Sequence, residues 1–353
     1  MHASLRKARI MRKYLLPEGG KFFKANLHCH TTVSDGKRTP EEVKELYKKN
    51  GYSIVAYTDH DIMIPHDDLN DEDFLAMIGY EMEINAPVTP KGEPFKQHKT
   101  CHICMVGLSP DVKQVCWHRS KYLFGNAPNY REFARFDDSI PDFERSYNPE
   151  CINEIMRRGR EGGFFVTYNH PVWSQEEFTD YIKYEGMHAM EIVNYSCLNS
   201  GFDDYNPKIY DDILRSGKRI YCAANDDNHN NQPDYSPRSD SFGGFNMIKA
   251  EKLDYEHIGK ALLAGDFYAS EGPIITSLYV EDGTVFVECE NAKRINYHSD
   301  IRQSRSAAAP KDGYITSASF PIGENHKYFR ITVIDEQGRH ADTRAYFVDE
   351  LEA

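Results

Sequence analysis

Short apolar runs separated by polar, turn-rich stretches dominate the first 270 residues. Seven runs have strand length and are rich in β-branched and aromatic residues, over 22–31, 52–60, 74–85, 101–108, 163–171, 189–195 and 219–227. Between and after them, apolar positions recur with helical spacing over 40–50, 149–161, 204–216 and 255–264. The first of these helices has an entry signal: Thr39 as N-cap, Pro40 in the first turn and Glu42 closing a capping box. Gly51 ends it. This alternation predicts an α/β fold with a parallel sheet, and seven strands predict a barrel.

Two stretches depart from that pattern. Residues 109–148 are rich in aromatic and charged side chains without clear periodicity, and a connection this long reads as a lid or substrate-side insertion. After Gly272-Pro273 the chain turns wholly to strand spacing. Asp282-Gly283 between two alternating runs is a type I′ hairpin signal, and Phe329, Ile331 and Val333 alternate with Arg330 and Thr332. The expected organisation is therefore a barrel domain over 1–270 and an all-β, sandwich-like domain over 271–353, immunoglobulin-like in its pattern.

The composition, 40% hydrophobic and 27% charged with a mean hydropathy of −0.66, is that of an ordinary water-facing chain. It contains no apolar run long enough to span a bilayer, and the basic N-terminus lacks the apolar stretch of a signal peptide. The expected location is cytoplasmic, with no membrane partner; the oligomeric state is left open. Eight scattered cysteines do not form a secreted disulfide framework, and Cys101 and Cys104 read as packing residues. A net charge of −13 argues against a nucleic-acid coat protein but not against an enzyme acting on phosphate esters.

Candidate chemistry gathers where the apolar runs stop. His28 and His30 lie two apart on one strand, so both face one side and can chelate one ion while Cys29 faces away. Asp35 follows in a tight turn. Thr58-Asp59-His60-Asp61 ends an apolar run with four polar residues that are costly to bury without a metal or partner. Glu81, with Glu83 as its competitor, His102, Asn169-His170-Pro171 and Asp226-Asp227-Asn228-His229 complete the series. Taken singly, Glu81 reads as a surface glutamate and His102 as a packed histidine. Together they read as a multinuclear metal site, and such sites mostly perform hydrolysis. The remaining histidines read as ordinary, with His66, His98 and His118 set apart by loops near the predicted active face. No nucleophile elbow, P-loop or dinucleotide fingerprint is present.

H-x-H with S-D-G, then T-D-H-D, a strand-end Glu, an isolated His, N-H-P and D-x-H, in that order, resemble the motif set of the polymerase and histidinol phosphatase (PHP) superfamily over about residues 22–270. The Asp226-Asp227-x-His229 form and the β-rich tail resemble its two-domain, CehA/McbA-like branch. The resemblance implies a distorted (β/α)7 barrel and two to three divalent ions. Their mixed nitrogen and oxygen ligands suit Zn, Mn or Fe without separating them. It implies His28, His30, Glu81 and Asp227 around one ion, and Glu81, His102 and His170 around a second. Asp35, His60 and His229 would hold a third.

The expected function is hydrolysis of phosphate mono- or diesters by metal-activated hydroxide. The nearest implied substrates are nucleoside 3′,5′-bisphosphates, or short oligonucleotides in a 5′–3′ exonuclease-like reaction, with small esters favoured by the acidic charge. The expected catalytic residues are Glu81 and His170, with His60 or Asp59 assisting proton transfer; Arg119 and Arg238 are candidate phosphate contacts. A carbamate, ester or amide hydrolase is the second reading. A non-catalytic metal-binding recognition protein is the third.

Overall fold

The computed structural model describes residues 12–88 and 99–351. The chain divides into two compact units, one spanning Gly20–Glu271, the other built from the described residues before and after it. In chain order, β1 (Lys13–Tyr14) belongs to the second unit, and the described residues of the first unit form nine strands. These are β2 (Lys21–Asn26), β3 (Ile54–Tyr57), β4 (Leu75–Asn85), β5 (Thr100–Gly107), β6 (Phe164–Tyr168), β7 (Ala189–Asn194), β8 (Tyr221–Asn225), β9 (Phe245–Ala250) and β10 (Phe267–Ser270). Their hydrogen-bonded order is β10-β9-β2-β3-β4-β5-β6-β7-β8.

The sheet is mixed, which corrects the expectation of a parallel one. β2–β3–β4 and β6–β7–β8 are parallel, whereas β5 runs antiparallel to both its neighbours and β9 antiparallel to β2 and β10. A parallel neighbour needs a crossover connection. β5 instead returns alongside β4, with Glu83 opposite His102 and Glu81 opposite Cys104. The start of β5 therefore shares an edge with the ends of the parallel strands. His102 sits there at the beginning of its strand, not at the end as the apolar pattern suggested.

Helix Pro40–Lys49 forms behind the expected capping box, Thr39 and Glu42 exchanging side-chain-to-backbone hydrogen bonds. Helix Tyr255–Ala264 is capped by Asp254 and stopped by Gly265 in the left-handed region. Its Ile258 and Leu262 pack with Ile54, Ala56, Leu75, Met77 and Phe165 from the strands into one hydrophobic core. Among the described residues no helix is long and apolar enough to cross a membrane.

The ends of β2 and β8 meet through asparagine side chains. Asn246 accepts from Ala224 N at 3.1 Å and donates to Ala224 O at 2.8 Å. Asn225 accepts from Leu27 N, and Asn26 accepts from Asp226 N, each at 3.0 Å. Beyond the strand ends the main chains pair directly, Asp227 N donating to His28 O and His30 N to Asn228 O, both at 3.0 Å. This seam sets Asp227 and His229 beside His28 and His30.

The second unit is two antiparallel sheets. One orders β1 with β11 (Ile275–Glu281), β12 (Thr284–Ala292) and β15 (Ile315–Pro321). The other orders β14 (Arg305–Ala308), β13 (Arg294–Ser299), β16 (Tyr328–Ile334) and β17 (His340–Thr343), with β18 (Tyr346–Phe347) also on β16. The Asp282-Gly283 turn takes positive φ at both residues, 49° and 68°, as a type I′ turn requires. Residues 12–19, expected with the first domain, lie in this unit instead, because Lys13 and Tyr14 pair with Val280 and Tyr279. That pairing covers an otherwise bare strand edge.

The seam supplies a stability test. Asn246→Ala leaves a buried N–H and a buried C=O of Ala224 unpaired, and should destabilise the first unit by on the order of 2–4 kcal/mol. The measurement is the urea midpoint followed by far-UV circular dichroism; an unchanged midpoint would show that the seam does not depend on this side chain.

Candidate metal centre

Each segment of the candidate series emerges at one edge of the sheet. His28 and His30 follow β2, His60 follows β3, Glu81 lies on β4, His102 begins β5, His170 follows β6, and Asp227 and His229 follow β8. The Glu81 carboxylate is their meeting point. Its Oε1 lies 3.2 Å from His28 Nε2, 3.0 Å from His102 Nδ1 and 3.2 Å from His170 Nε2. Its Oε2 lies 3.3 Å from His30 Nε2 and 3.3 Å from His60 Nδ1. Asp227 Oδ1 adds contacts at 3.2 Å to His28 and 3.0 Å to His30. Glu83, the competing candidate, lies toward the rim, 3.9 Å from His102 Nε2.

Among the described residues four sets of donor atoms lie close enough to hold an ion: His28, His30, Glu81 and Asp227; His30, Asp35, His60 and His229; His60, Glu81 and His102; His28, His170 and Glu191. The first unites the four residues expected around one ion. The second unites the expected Asp35, His60 and His229 and adds His30. The expected Glu81, His102 and His170 converge on the single oxygen Oε1, although His102 also falls into a set with His60. Asp227 and His229, despite their chelating spacing, point into different sets.

Glu191 was not singled out from the sequence. It is fully buried on β7, and its Oε1 lies 2.8 Å from His28 Nδ1. The same oxygen accepts from Asn225 Nδ2, while Oε2 accepts from His170 N and Asn194 Nδ2. Those bonds occupy the carboxylate, and a proton on His28 Nδ1 leaves Nε2 free to face Glu81. Glu191 thus orients a ligand-type histidine. The available signal was an acid inside the apolar run Ala189-Met190-Glu191-Ile192-Val193, which is costly to bury unless it is satisfied.

Asp59 does not line the cavity, a correction to its expected part in proton transfer. Its oxygens accept from Thr31 N at 2.8 Å, Thr31 Oγ1 at 2.8 Å, Ser34 N at 3.1 Å and Ser34 Oγ at 2.7 Å. It holds the turn that carries Asp35. Asp226 is likewise turned away, bonded to Tyr47 Oη and to the backbone of Phe242, Gly243 and Gly244. Asp61 forms a buried ion pair with Arg145 of the 109–148 stretch at 2.5 Å. Burial raises the Asp61 carboxyl to about 7 even though Arg145 opposes the shift.

The electrostatics favour bound positive charge. Burial alone would lower His30, yet the Asp227 and Glu81 carboxylates beside its ring hold it up at about 10. His170 is held at about 9 against burial, chiefly by Glu81 and Asp227. Burial and the neighbouring His30 depress His60 to about 3. Burial opposes ionisation of Glu81, but His28, His102 and His60 keep it well below the usual carboxylate range. Buried His30 Nδ1, His60 Nδ1, His102 Nε2 and Asp227 Oδ1 make no hydrogen bond. Orphaned nitrogens beside ionised carboxylates are the donor chemistry that a divalent cation satisfies. His170 and Asp227 also carry positive φ, 26° and 52°. For non-glycine residues that conformation stores strain characteristic of functional sites.

A cavity of about 210 Å³ opens over the cluster, bounded by Asp35, Glu83, Phe124, Trp173, Ser196 and Ser200 together with the histidines. Arg119 does not border it: its guanidinium bonds Asp142 and the carbonyls of Asp138 and Ile140. Arg238 is exposed and also away from it. Neither is placed to meet a phosphate here, because local acidic and carbonyl partners hold the first and solvent surrounds the second. His66 packs on Tyr57 and His118 reaches Glu144, both outside the cavity; His98 lies outside the described residues. The loop after His170 is anchored by Glu176, which accepts from Tyr168 at 2.6 Å, Tyr147 at 2.8 Å and Tyr184.

No protein-family model matches the chain, and no curated protein does. Among solved structures, it is similar to a two-domain protein containing a predicted PHP-like metal-dependent phosphoesterase from Bacteroides vulgatus ATCC 8482. The identity is 14%, the TM-score 0.45, and 95% of this chain and 98% of that one are covered. It is also similar to a candidate metal-dependent phosphoesterase from Bifidobacterium adolescentis ATCC 15703. There the identity is 16%, the TM-score 0.38, and the shares covered are 63% and 91%.

The tyrosine cage gives a pH test. Burial raises Glu176 to about 7 from the ordinary 4.5. The folded state therefore holds the proton that the unfolded state releases, and this residue's contribution to stability falls as pH rises from about 4.5 to 7. Glu176→Gln removes the titration. Relative to wild type the variant should gain on the order of 1–3 kcal/mol across that window. Thermal melts at several pH values measure it; a difference that is flat with pH would refute the assignment.

Proposed function

We propose that this chain is a metal-dependent phosphoesterase of the PHP type that hydrolyses small phosphate esters, its first unit being a distorted (β/α)7 barrel. The observation that carries the reading is the single buried Glu81 carboxylate shared by residues of all three groups, Oε1 facing His28, His102 and His170 and Oε2 facing His30 and His60. The proposed ligands are His28, His30, Glu81 and Asp227 for one ion, and Glu81, His102 and His170 for a second. Asp35, His60 and His229 form the third group. Two or three ions of Zn, Mn or Fe fit these mixed nitrogen and oxygen donors. When bound, such ions supply Lewis acidity toward a phosphoryl oxygen and make water a nucleophile near neutral pH.

The protein's own part is to hold that geometry. Glu191 fixes the His28 ring, Asp227 O accepts from His229 Nδ1 at 3.0 Å, and Ser174 Oγ meets His170 Nδ1 at 3.2 Å. Each contact leaves Nε2 directed at the cluster. His60 is kept neutral by burial, the form in which an imidazole binds an ion, and Asp59 steadies the turn beside it. Among the described residues no lysine or arginine borders the cavity, while Glu83 and Asp35 do. That lining, with a net charge of −13, favours a single small ester over a polyanionic strand.

Purified protein should hydrolyse phosphate esters when supplied with Mn or Zn and lose that activity with chelator. His170→Ala should reduce turnover at least about a hundredfold while the circular dichroism spectrum is retained. Turnover that survives chelation or this substitution, or activity on carboxylic esters alone, would overturn the reading. Glu191→Gln should weaken metal binding by about 10–100-fold, measured by calorimetry with Zn or Mn.

A further inference from the structure

Two large aromatic side chains stand at the cavity mouth with much of their surface open to solvent, Phe124 at 47% and Trp173 at 38% exposure. Both touch the candidate ligands. Phe124 meets the His60 ring at 5.3 Å, and Trp173 meets His102 at 5.2 Å and His170 at 5.0 Å. Because His60 and His102 are 5.7 Å apart, the two aromatics flank one entrance. Leaving such rings open costs hydrophobic free energy that packing them inward would recover.

The backbone is built to keep them there. Asp204 accepts from Trp173 N at 2.9 Å, Ser174 N bonds His170 O, and the three tyrosines hold Glu176 just beyond. On the other side, Phe124 precedes Gly125, whose φ is +58° and whose absent Cβ would lie 2.2 Å from Ser34 O. Only glycine allows this approach. Asn126 then bonds Ser34 O at 2.7 Å and Thr32 O at 3.1 Å, tying the 109–148 stretch to the turn carrying Asp35.

Among the described residues no cationic side chain lines the wall, and these rings are the large apolar surfaces there that a substrate can meet beyond its phosphate. At about 210 Å³ the cavity is smaller than most drug-sized pockets, with room for a phosphate and about one ring. We infer that the preferred substrate is a phosphate monoester whose leaving alcohol carries a planar aromatic ring, received by Trp173 and Phe124 at the cavity mouth. This rests on the phosphoesterase reading above. Hydrolysis adds one water across the P–O bond and releases inorganic phosphate and the ring-bearing alcohol.

Benzyl phosphate and cyclohexylmethyl phosphate test it, since both release primary alcohols with the same number of carbons and differ chiefly in ring planarity. Wild-type protein with Mn or Zn should favour the benzyl ester about tenfold in kcat/KM, mainly through KM. Trp173→Ala and Phe124→Ala should each pull that ratio toward one, and Trp173→Phe should retain more of it than Trp173→Ala. The ratio is read within each variant, so a general loss of activity does not mimic the effect, and thermal melting checks folding. Equal kcat/KM for the two esters in wild type, or a preference that survives both alanine variants, overturns the inference and leaves the phosphoesterase reading standing. Turnover of neither ester, in a protein that hydrolyses no other phosphate ester, overturns both.

Discussion

Five imidazoles around the buried Glu81 carboxylate form the constraint on which the rest of this edge depends. A buried carboxylate is expensive unless it is paired, and so many histidines in one place are expensive unless negative charge meets them. Here each group removes the other's penalty. The arrangement holds only if segments from β2 to β6 end, or begin, at the same level. The antiparallel β5 and the asparagine seam are what make them do so.

Around that cluster, acids of similar type do different work because their surroundings differ. Glu81 and Asp227 face histidines and remain ionised. Asp226, ringed by main-chain donors but fully buried, is raised to about 6, burial outweighing its hydrogen bonds. Asp59 spends its oxygens on a turn, Glu191 on the His28 ring, the His170 backbone and two asparagines, and Asp61 on Arg145. The Asp61–Arg145 pair and the Asn126 contacts fasten the long 109–148 stretch to the candidate centre. The stretch can therefore contribute Phe124 to the entrance as a placed side chain.

Much of this was legible in the linear chain. Polar clusters such as Thr58-Asp59-His60-Asp61 stand out where an apolar run stops, since burying them demands a partner. The capping box at Thr39 and the hairpin at Asp282-Gly283 are local and formed as read. What the residues alone misjudged were single positions whose role depends on a neighbour from far along the chain. Glu191 looked like one residue of an apolar strand, Asp59 like a proton carrier, and Lys13-Tyr14 like part of the first domain. Arg119 could be discounted only once Asp142 was seen beside it.

The sequence by itself determined which residues gather at the edge, because strand periodicity and the cost of burying polar groups act within a few residues. Only the tertiary structure decided which atoms of these residues face one another and which other side chains hold them in place. That Asp227 faces His28 and His30 while its near neighbour His229 faces Asp35 follows from strand order and direction and from local backbone twist. Strand order and direction are set by pairings up to about 200 residues apart in the chain, such as Asn26 with Asn228, and no local pattern encodes them.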